Sequence, residues 1–128
     1  MKIIVCLLIC ACSYFQLFSQ GVDFKQITLK EALEQAKAQG KMVFVDCYTT
    51  WCGPCKQIAP YIEELAEEYK DKVNIGKCDV DENADLPAQF GVRNIPTVLF
   101  IKNGEVVDKQ VGATTKSALQ AKVEALLK

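Results

Sequence analysis

From Thr28 onward the spacing of apolar residues changes several times, and each change marks an element. Thr28-Leu29-Lys30-Glu31 has the form of a capping box, in which Thr28 caps a helix and Glu31 reaches back to it. Leu29, Ala32, Leu33 and Ala36 then recur at helical spacing, and Gly40 ends the run. Met42 to Tyr48 is different: a nearly continuous apolar run of strand length, suited to a strand covered on both faces. Helical spacing returns from about Cys52, with Ile58, Ile62, Leu65 and Tyr69 on one face and Pro60 inside, where a kink is expected. Val73 to Val80 reads as a second strand, so that strand, helix and strand form one right-handed crossover unit.

Asp81 to Pro87 supplies turn residues and opens a short helix that ends near Phe90 and Gly91. Thr97 to Lys102 and Glu105 to Val111 read as strands joined by Asn103-Gly104, the strongest two-residue hairpin signal. Thr115 caps a last helix that buries Leu119, Val123 and Leu126. The order α-β-α-β-α-β-β-α predicts an α/β fold, a central mixed sheet covered by helices. No internal repeat, linker or low-complexity segment interrupts it.

Before this pattern the chain opens with a single charge, Lys2, an apolar run from Ile3 to Ala11 and a semi-polar tail. The run is too short to span a bilayer and suits the core of an export signal. We expect residues 1–19 to be a signal peptide cleaved after Ser19, leaving residues 20–128 as one domain. The alternative is a lipoprotein signal with Cys12 lipidated, although Ile9 and Cys10 before it fit that pattern poorly. The expected location is therefore exported, periplasmic or secreted, with membrane attachment only if Cys12 carries a lipid.

Half of the 128 residues are hydrophobic and 24% are charged, which fits one compact domain with a modest core. The net charge is −1 and no basic patch or run appears, so nucleic acid is a poor candidate as a partner. Histidine is absent, which removes imidazole bases, Cys-His nucleophile pairs and His-containing metal sites. Of the seven cysteines, Cys6, Cys10 and Cys12 lie in the leader, leaving Cys47, Cys52, Cys55 and Cys78. Four cysteines are too few to staple a domain of this size, which must stand on its hydrophobic core.

The chemistry concentrates in Trp51-Cys52-Gly53-Pro54-Cys55-Lys56. Cys52 falls where a strand hands over to a helix, and the unpaired N–H groups and dipole of a helix start stabilise a thiolate. Cys55 follows one turn later, close enough to bridge. Pro54 has a φ suited to the first turn, where its missing N–H costs nothing. Trp51 is placed to shield one side of the sulfur. Attack by Cys52 on a disulfide would leave a mixed disulfide that Cys55 resolves within the same molecule, without diffusion of a second thiol. Two other readings stay open at this point. The pair is half of a zinc site that Cys47 and Cys78 would complete, although these lie in strand patterns rather than on knuckle loops. Or it is an inert structural disulfide, although so short a loop restrains the unfolded chain little.

The same residues, with the in-helix Pro60, Ile95-Pro96-Thr97, Asn103-Gly104-Glu105 and Val111-Gly112, resemble the thioredoxin family over about residues 41–127. The segment before Met42 is more similar to exported thioredoxin-like proteins. The resemblance implies the thioredoxin fold, a central mixed sheet flanked by helices on both faces. It implies Cys52 as nucleophile and Cys55 as resolving thiol, forming the redox-active disulfide. It also implies Asp46 as a buried carboxylate that accepts the proton of Cys55, with Lys77 as its partner. Trp51, Gly53, Pro54, Asn94, Ile95 and a cis Pro96 would form the surface that receives a substrate strand. No cofactor and no metal are implied.

The chain departs from the family's pattern in three places. Asn94 stands where a small glycine is usual, Cys47 where an aromatic is usual and Cys78 where an aliphatic is usual. If Asp46 and Lys77 are cross-strand neighbours, then Cys47 and Cys78 are expected to be adjacent thiols in one core layer, where a second disulfide would be strained. The functional expectation is an exported monomeric thiol-disulfide oxidoreductase that reduces protein disulfides. Gly53-Pro54 is the pair of the family's reducing members, and a membrane electron donor is expected to re-reduce the protein. The alternatives are a disulfide donor or isomerase, or a peptide-binding module without turnover.

Overall fold

The computed structural model describes residues 29–128, and the expectations for the leader, its cleavage and the Thr28 cap lie outside them. Eight elements follow in the order α1 (Leu29–Gln39), β1 (Met42–Tyr48), α2 (Gly53–Glu68), β2 (Val73–Asp79), α3 (Asp85–Phe90), β3 (Thr97–Lys102), β4 (Glu105–Val111) and α4 (Lys116–Leu127). The four strands form one sheet in the order β2-β1-β3-β4. β1 runs parallel to β2 and antiparallel to β3, and β3 and β4 form an antiparallel hairpin. This is the mixed sheet that the residue pattern anticipates.

Strand alternation divides the core into two layers. Met42 and Phe44 of β1 and Val98 and Phe100 of β3 face α2 and α4, where they meet Ile58, Ile62, Leu65, Leu119 and Val123. Val43, Val45 and Cys47 of β1 and Leu99 and Ile101 of β3 face the other way, toward Ala36 of α1 and Leu86 of α3. Helices therefore cover both faces. The run Met42 to Tyr48 lacks polar alternation because β1 has no solvent face: all of it except Tyr48 is buried.

The turns follow local chemistry. Gly40 ends α1 at φ +66° and Gly91 ends α3 at φ +64°, a region in which other L-residues are strained. Asn103 and Gly104 both have positive φ, as a two-residue turn matching strand twist requires. Thr115 caps α4, its Oγ1 accepting from the Ala118 N–H. α2 holds Pro60 inside it, on an exposed position, and differs in one detail from the expectation: Tyr69 caps it instead of extending it, its N–H bonding the Leu65 carbonyl at 2.9 Å. The ring has no N–H to offer the carbonyl four residues back, but that position is on the solvent side, where water can serve it.

Phe44 and Phe100 meet edge to face across β1 and β3, with centroids 4.9 Å apart and planes at 87°. Both are fully buried. We expect Phe44→Ala and Phe100→Ala each to cost about 3–5 kcal/mol in urea unfolding. The double variant should cost about 1 kcal/mol less than the sum, because the ring–ring contact is lost only once. Strict additivity would show that the rings act only through the area they bury.

Candidate active site

β1 delivers the chain at Tyr48 to a short connection whose last residue, Cys52, caps α2 in an extended conformation (φ −77°, ψ 112°). The Cys52 sulfur accepts a hydrogen bond from the Cys55 N–H at 3.2 Å. The two cysteines are joined as a disulfide, with Cα atoms 5.3 Å apart. Both are buried, whereas Gly53 and Pro54 between them are exposed. A Cβ at Gly53 would meet nothing within 4 Å, so the glycine is not demanded by packing; it leaves the approach to the sulfurs uncrowded. On reduction, the same N–H and the helix start would favour negative charge on Cys52.

Trp51 is 71% exposed, and its Nε1–H donates to Asp81 Oδ2 at 2.8 Å. The Asp81 N–H in turn donates to Asp79 Oδ1 at 3.0 Å. The indole thus stands largely exposed, its orientation set by the turn after β2. Nothing in the spacing of residues marks Asp81 for this part, since it lies thirty positions from its partner.

Asp46 sits on the α2 side of β1, in register with Lys77 of β2 and Val98 of β3. It is 1% exposed, and its Oδ1 has no hydrogen-bond partner among the described residues; the same holds for Thr49 Oγ1. Burial pushes the Asp46 carboxyl up to about 6, against the opposing pull of the Lys77 ammonium. Asp46 and Cys55 line one open cavity of about 250 Å³, together with Thr49, Lys56 and Lys77. Lys77 Nζ lies 3.6 Å from Glu63 Oε1 and 5.4 Å from the centre of the Tyr48 ring. Tyr48, Thr49 and Glu63 belong to this neighbourhood without having carried any mark in the sequence beyond their closeness to Asp46 or to the helix face.

Ile95-Pro96 is a cis peptide bond. Thr97, the next residue, is paired with Cys47 of β1 and with Val111 of β4. This register puts Asn94, Ile95 and Pro96 at the sheet end where β1 hands over to Cys52. Two bonds fix the segment: the Gly112 N–H donates to the Pro96 carbonyl at 2.8 Å, and Thr97 Oγ1 donates to the Asn94 carbonyl at 2.6 Å. Asn94 is exposed and Ile95 half-buried. The expected site residues therefore converge: Cys55, Asp46 and Lys77 line one cavity, Cys52 is bonded to Cys55, and Trp51 and residues 94–96 lie at the same end of the sheet. Cys47 and Cys78 are unbonded, buried and on the opposite face, which leaves no four-thiolate cluster with Cys52 and Cys55.

The raised carboxyl of Asp46 has a consequence for stability. Between about pH 4 and 6 the folded chain holds a proton that the unfolded chain has released, so this group's contribution falls as pH rises through that window. Asp46→Asn should therefore gain about 2–3 kcal/mol relative to the parent on going from pH 3.5 to pH 7.5, read by urea unfolding at both pH values. An unchanged difference between the two would mean that the carboxyl is solvated.

The thioredoxin family model matches residues 23–125. Thioredoxin of Haemophilus influenzae is 57% identical over 77 residues, which is 60% of this chain and 72% of that protein. Thioredoxin of Bacillus subtilis is 49% identical over 85 residues, 66% of this chain and 82% of the relative. Thioredoxin of Alicyclobacillus acidocaldarius is 42% identical over 102 residues, 79% of this chain and 97% of the relative. With the mixed sheet, the disulfide at the helix start and this similarity over most of its length, the chain belongs to the thioredoxin family and is a thiol-disulfide oxidoreductase acting on protein disulfides.

Proposed function

We propose that this chain is an exported reductase of protein disulfides, in which Cys52 attacks and Cys55 resolves. The observation that carries the reading is the Cys52–Cys55 pair at the α2 start, with Asp46 on the same cavity as Cys55. The Cys52 thiolate attacks one sulfur of a substrate disulfide and expels the other as a thiolate. Cys55, giving its proton to the Asp46 carboxylate, attacks Cys52 and releases the second substrate sulfur. Two electrons pass from the dithiol to the substrate, and the Cys52–Cys55 disulfide remains. With its carboxyl at about 6, Asp46 is mostly ionised at neutral pH and able to take that proton. Lys77 holds the ionised form, and Trp51, Gly53, Pro54, Asn94, Ile95 and Pro96 form the receiving surface.

The reducing direction is supported by Gly53-Pro54 and by the absence of histidine, which leaves no imidazolium to hold the thiolate more tightly. Export is supported by the residue pattern of 1–19. An exported reductant needs a source of electrons, and we assign that part to a membrane dithiol carrier serving a monomeric protein. N-terminal analysis of the mature protein distinguishes cleavage after Ser19 from lipidation at Cys12.

The Cys52–Cys55 couple should equilibrate near −270 mV against graded glutathione and dithiothreitol buffers, as in thioredoxin. A value near −120 mV would make the protein a disulfide donor. Cys55→Ser should accumulate mixed disulfides with substrate proteins, and Cys52→Ser should not. Asp46→Asn should slow the release of substrate from a preformed mixed disulfide on the order of 10²-fold at pH 7, followed by quenched alkylation. A Cys52→Ser variant that kept full cellular function would point instead to a binding module.

A further inference from the structure

On the face of the sheet away from the disulfide, Cys47 of β1 and Cys78 of β2 are register partners. Both belong to the core layer under α1 and α3, both are unbonded, and they are 0% and 7% exposed. Side chains in register on parallel strands leave the sheet side by side, at about the strand spacing of 4.7–4.9 Å. A disulfide requires Cβ atoms about 3.5–4.5 Å apart, a little closer than parallel, aligned Cβ vectors at the strand spacing place them. A single ion held between two sulfurs requires instead a separation of about 4.6 Å, twice a metal–thiolate bond of about 2.3 Å. Sulfurs in like rotamers stand at about the strand spacing, which meets the second requirement without moving either strand.

We propose that Cys47 and Cys78 form a buried two-thiolate site for one soft, divalent, linearly coordinated ion of the mercuric type. Charge and coordination number select this class. Two thiolates and a divalent ion make a neutral unit, which an apolar layer of Val43, Val45, Leu86 and Leu99 accepts without the penalty of a buried net charge. A monovalent ion would leave one negative charge there. Zinc seeks four donors, and no group of three or more histidine, cysteine or carboxylate side chains is gathered among the described residues. Asp46, next in sequence, faces the opposite layer.

Binding converts two thiols and the ion into the bis-thiolate and two protons, with no change of oxidation state. Until then burial keeps both sulfurs protonated and unreactive toward the Cys52–Cys55 disulfide, Cys47 most strongly. Entry runs past β2, the outermost strand among the described residues, under α3, a six-residue helix with Leu86 as its one buried side chain. An element with so few buried contacts opens at low cost, so uptake is slow and gated by local opening.

The test uses the full chain with Cys6, Cys10 and Cys12 replaced by alanine and the Cys52–Cys55 pair oxidised, titrated with mercuric chloride. The expected result is one ion per chain retained through gel filtration, with a sulfur-to-mercury absorption band and with Cys47 and Cys78 protected together from alkylation. Cys47→Ala and Cys78→Ala should each abolish retention, while both variants, once reduced, still reduce insulin with unchanged kcat/KM, which shows that they remain folded. If either fails to fold, Cys78→Val keeps the volume of the layer and serves in its place. Two ions per chain, no retained ion, retention that survives loss of one sulfur, or a Cys47–Cys78 disulfide in the titrated protein would each overturn the proposal.

Discussion

Everything in this molecule hangs on β1, a seven-residue strand with no solvent face. It is hydrogen-bonded on both edges and packed on both sides, so each of its residues has one permitted direction. Met42 and Phe44 hold the α2–α4 layer, while Val43, Val45 and Cys47 hold the α1–α3 layer. A slip of one residue would exchange the layers and bring Asp46 into the wrong one. The strand also ends where the chemistry starts, so the rigidity that the core demands is handed directly to the connection bearing Cys52.

Asp46 is the polar exception in this strand, and its cost is bounded by its titration. A carboxyl raised from 3.8 to about 6 is disfavoured in its ionised form by about 3 kcal/mol at neutral pH. That is a substantial part of what a domain of this size has to spare. A satisfied structural ion pair would not leave this signature, because its partner would lower the carboxyl. Here desolvation outweighs Lys77, whose ammonium is also drawn to Glu63 and the Tyr48 ring. The result is a buried carboxyl on the same cavity as Cys55 that takes up a proton just below neutral pH, as its proposed part in resolution requires.

The two cysteine pairs show how one residue type takes opposite characters from its surroundings. Cys52 and Cys55 lie at a helix start, where N–H groups stabilise a thiolate. Cys47 and Cys78 lie between apolar layers, where burial and each other's proximity push Cys47 up to about 12. The first pair is the redox-active one, while burial disfavours the free thiolate of both members of the second.

Local patterning determined a great deal by itself. The periods of 3.6 and of continuous burial, the Asn103-Gly104 turn and the Thr115 cap each act within a few residues, so the eight elements and their order were legible before any contact was known. The Cys52–Cys55 pair was equally legible, because its spacing and its place before a helix are local facts. What the tertiary structure alone decided are relations across strands and turns. The Trp51–Asp81 bond, the Lys77–Glu63 contact and the burial of Thr49 join residues with no common period. That α2 accommodates Pro60 was decided by which side of the helix met solvent. The adjacency of Cys47 and Cys78 was inferable only through a register, and a register is fixed by how whole faces pack. Periodicity tells which way a side chain points from its own backbone, but what it meets there is set by the other elements that need the same core.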